Sequence, residues 1–306
     1  MRPVILLTDF GRQDPYVGQL EAAIWRVDSG IRVIHWTHEV LPQAVPQAAF
    51  LLAATWNDIP NRAIVCAVVD PGVGGERPTI AAELEDGRVI VGPDNGVFSF
   101  FDAQPGEESA SAPQGRTSRF SKVGGGIQRA VRLDNPVYWG PRDSRTFHAR
   151  DRFVPVAAHL SAGVDLDLIG SPIDLNAETA PLRIDGVDPV PRQHGLSGRV
   201  LHIDRYGNLI TNLPFELPTH APKVDSTNTE EAQIEAGWSV RLAPSGEGSA
   251  PPSLPLRPTY EAVEPGQPVA YVGSAGTIEI AINRDAAARV FQVGIGHPVT
   301  LERSDS

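Results

Sequence analysis

Pro3-Val4-Ile5-Leu6-Leu7-Thr8-Asp9-Phe10-Gly11 is an apolar run that stops at an acid, and Ala63-Ile64-Val65-Cys66-Ala67-Val68-Val69-Asp70 repeats the pattern. Runs that are apolar at every position do not suit strands with one wet face. They fit strands covered on both sides. Between them, residues 16–28 carry Val17, Leu20, Ile24 and Val27 at helical spacing, and Ile31 to Trp36 reads as another strand. Residues 43–56 read as a second helix, with Ala44, Ala48, Leu51 and Leu52 on its apolar side. Strand, helix, strand, helix, strand predicts a parallel sheet with helices on both faces.

Outward from this core, Thr79–Leu84 and Arg88–Val91 flank Asp86-Gly87, a hairpin signal. Gly92-Pro93-Asp94-Asn95-Gly96 reads as a tight polar turn, and residues 103–126, rich in Ser, Gly, Glu, Pro and Gln, as an exposed insertion. Asp151 to Ala162 is expected to be helical, capped by Asp151 or a neighbour and ended by Gly163. After about residue 190 the texture changes to short strands at 198–204, 209–212, 238–243, 268–272 and 277–282, with a loop at 244–258. The expected fold class is α/β: a larger N-terminal domain (1–185) with a mostly parallel sheet, then a smaller, mainly β C-terminal domain (195–306).

The 306 residues exceed what one hydrophobic core usually organises, which supports two domains. A formal net charge of -11 argues against a chain built to neutralise nucleic-acid phosphates, so no nucleic acid is expected as partner. Cys66 is the single cysteine and lies inside an apolar run, which removes disulfides and cysteine-based zinc sites and predicts a buried, inert thiol. No leader and no membrane-length apolar segment is evident, so the expectation is a cytoplasmic protein without a membrane partner.

Ligands of open α/β sheets bind beyond the carboxyl ends of the strands, which is where Asp9, Asp14, His38 and Asp70 fall. Each acid alone reads equally well as a cap or turn former. Two carboxylates at neighbouring strand ends point further, because they repel unless something uses them. Arg77 follows Asp70 after a glycine loop, and His148 precedes the helix expected at 151; a guanidinium can orient a carboxylate, and an imidazole can move a proton. His35, His38, Asp9 and Asp70 are the competing metal-ligand set, but no metal motif is present and no metal is expected. Gly72-Val73-Gly74-Gly75 lacks the Gly-Lys-Ser/Thr continuation of a phosphate-binding loop. Arg116, Arg119, Lys122, Arg129 and Arg132, in and after the insertion, read as solvated surface.

An ordered set of blocks is more specific than any of these. Leu7-Thr8-Asp9-Phe10-Gly11 with Asp14 and Tyr16-Val17-Gly18, Thr37-His38, and Val69-Asp70-Pro71-Gly72-Val73-Gly74 come first. Gly92-Pro93-Asp94-Asn95-Gly96, Thr146-Phe147-His148-Ala149-Arg150-Asp151, Asp204-Arg205-Tyr206-Gly207-Asn208 and Gly273-Ser274-Ala275-Gly276 with Glu279-Ile280-Ala281-Ile282-Asn283 follow. In this order they resemble the S-adenosyl-L-methionine (SAM) hydroxide adenosyltransferase family, which is related to the SAM-dependent fluorinase and chlorinase.

The resemblance implies a β-barrel-like C-terminal domain and a homotrimer in which each ligand site draws on the large domain of one subunit and the small domain of the next. It implies a hydrolase in which water displaces L-methionine at ribose C5′ by nucleophilic substitution, giving adenosine and L-methionine, with SAM as substrate and no cofactor. Asp70, Arg77 and His148 would act on the water. Asp9 would hold the ribose diol and Asp14 line the methionine end. Asp204 would take the methionine ammonium, Ser274 its carboxylate, and Asn208 and the backbone near Asn283 the adenine. The halogenases carry tyrosine at the position of Asp70, threonine at Val73 and arginine at Ala275, which points away from halide chemistry. Ala149 replaces the usual family glycine after the histidine. A 5′-halogenase and a non-catalytic SAM- or adenosine-binding trimer are the alternatives.

Overall fold

The computed structural model describes residues 1–101, 126–175, 188–215, 237–244 and 253–303, in two compact units divided between residues 175 and 188. All but Gly126 of the expected insertion lies outside the described residues, as do Arg116, Arg119 and Lys122.

The first unit is built on a seven-stranded sheet, β2-β1-β3-β5-β4-β6-β7. Its strands are β1 (Val4–Thr8), β2 (Val33–Thr37), β3 (Ile64–Val68), β4 (Thr79–Leu84), β5 (Val89–Pro93), β6 (Ile127–Arg132) and β7 (Pro172–Ile173). β2, β1, β3 and β5 run parallel, as the apolar runs predict; β4, β6 and β7 add antiparallel pairings at the other side. Helices α1 (Tyr16–Val27), α2 (Val45–Ala54) and α3 (Val154–Ser161) cover it. Val4 and Leu6 of β1 and Ile64, Cys66 and Val68 of β3 join α1 and α3 in one apolar cluster. Their alternates Ile5, Leu7, Val65 and Ala67 are also fully buried, because a strand sends successive side chains to opposite faces. Cys66 is the buried thiol the sequence predicts, and burial raises its pKa.

The expected hairpin forms at Asp86-Gly87, with Gly87 at a positive φ of 79. Three local expectations are corrected. Gly92 and Pro93 continue β5 rather than open a turn. Asp151 does not cap the helix: residues Ala149–Phe153 form one π-helical turn, α3 starts at Val154, and the buried Asp151 carboxylate accepts from Arg150 and from the Ser144 N–H. The strand β6 was not expected, because its buried Ile127, Ala130 and Val131 are interrupted by arginines.

The second unit is an antiparallel eight-stranded sheet of β8 (Val190–Arg192), β9 (Gly195–Ile203), β10 (Leu209–Pro214), β11 (Trp238–Leu242), β12 (Leu254–Pro255), β13 (Pro268–Val272), β14 (Thr277–Ile282) and β15 (Pro298–Arg303). The path runs β12-β11-β15-β9-β10-β14-β13, and an isolated Leu256–Ala270 bridge brings its two ends together into a nearly closed barrel. Leu209, Leu213, Val240, Leu254, Ile278, Ile280 and Leu301 fill its interior. β8, β12 and β15 were not expected, and β12 falls inside the segment read as a loop.

Candidate active site

Four parallel neighbours end on one edge of the first unit's sheet, so the residues that follow them gather there: His38 after β2, Asp9 after β1, Asp70 after β3, and Asp94 and Asn95 after β5. Asp70 is the most constrained. Arg77 Nε donates to its Oδ1 at 2.8 Å, and Arg77 Nη2 donates to its Oδ2. The same Nη2 lies 3.1 Å from Nδ1 of His148. The pair is mostly buried, with side-chain exposures of 11% for Arg77 and 6% for Asp70. The guanidinium thus stands between carboxylate and imidazole and bonds both. Its carbon lies 5.6 Å from the centre of the Phe153 ring.

A guanidinium only donates, so Nδ1 of His148 accepts and the ring's proton resides on Nε2. His148 is pulled below its ordinary pKa by burial, then by the Arg152 and Arg77 charges, which keeps the ring neutral. Asp70 retains one lone pair on each oxygen beyond those taken by Arg77. The cluster therefore offers a water molecule carboxylate acceptors and an imidazole N–H donor held by one rigid fork.

Backbone contacts bring these distant segments together. Asn95 Nδ2 donates to the Val69 carbonyl at 2.8 Å, fixing the strand end before Asp70. Gly74, at φ 81, lies so close to the segment preceding His148 that a Cβ would sit 2.4 Å from the Arg145 carbonyl oxygen.

Asp9 is half-buried, and its Oδ2 accepts from the Gln43 N–H at 2.8 Å. Burial raises its pKa; the Gln43 N–H opposes the shift, and the Asp70 charge adds to it. Gln43 holds its N–H there from a left-handed φ of 66. Its role was not legible in the sequence, since the residue is neither charged nor in a recognisable spacing. Phe10, beside Asp9, packs edge-on against Tyr16 and Phe147 at 5.9 and 5.7 Å between ring centres. Asp14 is exposed, just before α1. The competing metal set is not assembled: His38 bonds Thr8 and His35, and among the described residues no group of three or more His, Cys, Asp or Glu could hold a metal ion.

In the second unit, Asp204 Oδ1 accepts from the Tyr206 and Asn208 N–H groups, and its Oδ2 accepts from Asn208 Nδ2, each at 2.9 Å. Asp204 and Asn208 are thus one turn-building pair, with Tyr206 exposed at its tip. Ser274 is exposed in the turn between β13 and β14. Asn283 has both backbone groups paired, to Gln267 and Gly266, and its Nδ2 donates to the Val263 carbonyl at 2.7 Å. Its amide therefore braces the barrel.

The fold and these strand-end groups define a two-domain α/β–β enzyme whose polar centre is a carboxylate–guanidinium–imidazole cluster. Residues 4–170 match the SAM hydroxide adenosyltransferase N-terminal domain, and residues 198–300 match the C-terminal domain of the same name. The chain belongs to the SAM hydroxide adenosyltransferase family. It is 33% identical over 303 residues to a protein of Thermus thermophilus named (R)-S-adenosyl-L-methionine hydrolase, covering 98% of this chain and all of that one. To a fluorinase of Nocardia brasiliensis it is 24% identical, covering 98% and 97%. A crystal structure of an uncharacterized conserved protein from Thermotoga maritima superposes with a TM-score of 0.77 at 27% identity, covering 97% and 99%.

Proposed function

We propose that this chain is a SAM hydrolase that forms adenosine and L-methionine. The observation that carries the reading is the Asp70–Arg77–His148 cluster at the strand ends of a chain from this family. In the reaction the oxygen of water bonds to ribose C5′ and the C5′–S bond breaks. Its electron pair passes to sulfur, giving a neutral thioether, and one proton is released. Sulfonium leaves readily, so the task is to aim the water in line with the C5′–S bond and keep bulk solvent away.

Asp70 accepts hydrogen bonds from that water and stabilises the positive charge that develops on its oxygen as the new C–O bond forms, before the proton is released. Arg77 fixes the orientation of the carboxylate toward the water through its two hydrogen bonds. His148 donates from Nε2. Asp9 receives the two ribose hydroxyls, and Asp14 lines the methionine end. Asp204 takes the ammonium, Ser274 the carboxylate, and Asn208 with the backbone near Asn283 the adenine. The assignment gives residues 1–185 the catalytic domain and 195–306 a domain that serves a neighbouring subunit of a cytoplasmic homotrimer. Among the described residues no helix is long and apolar enough to cross a membrane.

Chromatography of purified protein incubated with SAM tests this: adenosine and methionine should appear in equal amounts. Accumulation of 5′-haloadenosine with chloride or fluoride would overturn it in favour of a halogenase, and tight adenosine binding without turnover in favour of a binding protein.

A further inference from the structure

Beneath the Asp9 turn runs a chain of four side chains that the proposed chemistry does not use. Thr8 Oγ1 lies 2.8 Å from Nδ1 of His38, Nε2 of His38 lies 2.7 Å from Nδ1 of His35, and Nε2 of His35 lies 2.8 Å from Oε1 of Glu21 on α1. His38 is 1% exposed, whereas Glu21 at the far end is partly open, with 30% of its side chain exposed.

The ends of the chain set its direction. Glu21 as a carboxylate only accepts, so His35 donates from Nε2 and accepts at Nδ1. His38 then donates from Nε2 and accepts at Nδ1, and the Thr8 hydroxyl donates to it. Thr8 Oγ1 in turn accepts the Phe10 N–H at 3.3 Å. Burial above all lowers His38 to about 4, so its ring is neutral as this order requires.

We propose that Glu21, His35 and His38 are positioning residues that lock the Thr8-Asp9-Phe10-Gly11 turn and so hold Asp9 in place for the substrate without touching it. The turn is pinned to the segment after β2 at three points: Thr8 Oγ1 to the His38 ring, the Gly11 N–H to the His38 carbonyl at 2.8 Å, and Asp9 Oδ2 to the Gln43 N–H. Two of the three depend directly on where His38 sits, and His38 is held through His35 by a carboxylate on another element. Bonds aligned in one sense polarise one another, so loss at the Glu21 end is felt at Thr8. Two imidazoles in sequence, each with one fixed tautomer, exceed what anchoring α1 alone requires.

The inference rests on the reading that Asp9 binds the ribose diol, and the test separates the two. In the full-length protein, Asp9→Ala, Glu21→Ala, His38→Ala and His38→Asn are compared by adenosine calorimetry, by kcat and KM for SAM, and by thermal unfolding. Glu21→Ala should weaken adenosine binding and raise KM about threefold to tenfold, the size of one net hydrogen bond, with kcat changed less than about twofold. His38→Ala should do more, and His38→Asn, which returns an acceptor to Thr8, should recover most of the loss. If Asp9→Ala weakens adenosine while folded Glu21→Ala and His38→Ala do not, the relay is overturned and the Asp9 reading stands. If Asp9→Ala leaves adenosine binding unchanged, the ribose reading fails and the relay loses its purpose. Glu21 is partly exposed, so its variant decides the matter even if His38→Ala does not fold.

Discussion

Arg77 puts one nitrogen to two uses: Nη2 donates to Asp70 and faces His148, while Nε holds the other carboxylate oxygen. A lysine ammonium is a point charge and cannot span all three contacts, so Arg77→Lys should damage turnover despite keeping the charge. Asp70→Asn keeps the shape but sets an amide N–H against a donor fork, and should lower the single-turnover rate by about 10²–10⁴ if proton removal matters. Because the role proposed for these groups is to address the nucleophile, kcat should fall far more than adenosine affinity. Rates in both variants that match the native enzyme would remove the cluster from the mechanism. The pH profile follows from two shifted groups. Burial lowers His148, so a break in kcat from protonation of its ring should fall below pH 6.5, the ordinary imidazole value. Burial raises Asp9, and its proposed role toward the diol needs the ionised form; adenosine affinity should be full above that raised pKa and fall as pH drops through it, starting higher than for a free aspartate. Calorimetry across pH on native protein and Asp9→Asn checks this: the variant should bind weakly at every pH, and an identical slope in both would assign the titration elsewhere. Residue types at this site were legible in the sequence, as acids after strands and blocks shared with a family. Their connections were not, because 71 positions separate Arg77 from His148 and only the folded sheet edge brings them together.

Among the elements, the parallel half of the first sheet was legible because β1 and β3 are buried on both faces and so read as unbroken apolar runs. β6 and β15 were not: β6 interleaves Arg129 and Arg132 with its buried Ile127, Ala130 and Val131, and β15 buries only Val299 and Leu301 of its six residues. The start of α3 was misread for a different reason: Asp151 looks like a cap but is consumed by Arg150 and Ser144, and a π-helical turn carries the chain from His148 into the helix. Such turns recur at functional sites because they re-aim side chains, and this one begins directly after His148. The glycine loop is the element that joins both halves of the cluster. Gly74 combines a left-handed φ with a close approach to the Arg145 carbonyl, and an added Cβ would have to push the loop off that segment. Gly74→Ala should therefore lower kcat by about tenfold or more, consistent with the sensitivity of catalysis to displacements of about an ångström. Adenosine affinity, which the proposed assignment gives to Asp9 on another loop, should change little. Near-native kcat in a stable Gly74→Ala protein would mean that the loop tolerates the shift and that Arg77 reaches His148 without it.

At the level of the whole molecule, the ligand contacts proposed here divide between the two units. Asp9, Asp14, Asp70, Arg77 and His148 belong to the first, and Asp204, Asn208, Ser274 and Asn283 to the second. In the second unit Ser274 is exposed and Tyr206, at 78% exposure, stands beside the half-buried Asp204, whereas Asn208 is buried. If a neighbouring subunit completes each site, two damaged chains can repair one another. Asp70→Asn spoils only the first-unit half of a site, and Asp204→Ala only the second-unit half. Each variant alone should be nearly inactive. Mixed, dissociated and reassembled, they should regain activity, because some sites then combine an intact first unit from one chain with an intact second unit from another. For random assembly in which each site draws on two chains, an equal mixture should recover about a quarter of native turnover. Light scattering of the native protein should give a trimer mass, and dilution to the point of dissociation should abolish activity. A fully active monomer, or a mixture no better than its components after exchange has been verified, would place both halves of the site within one chain and refute the shared-site assembly.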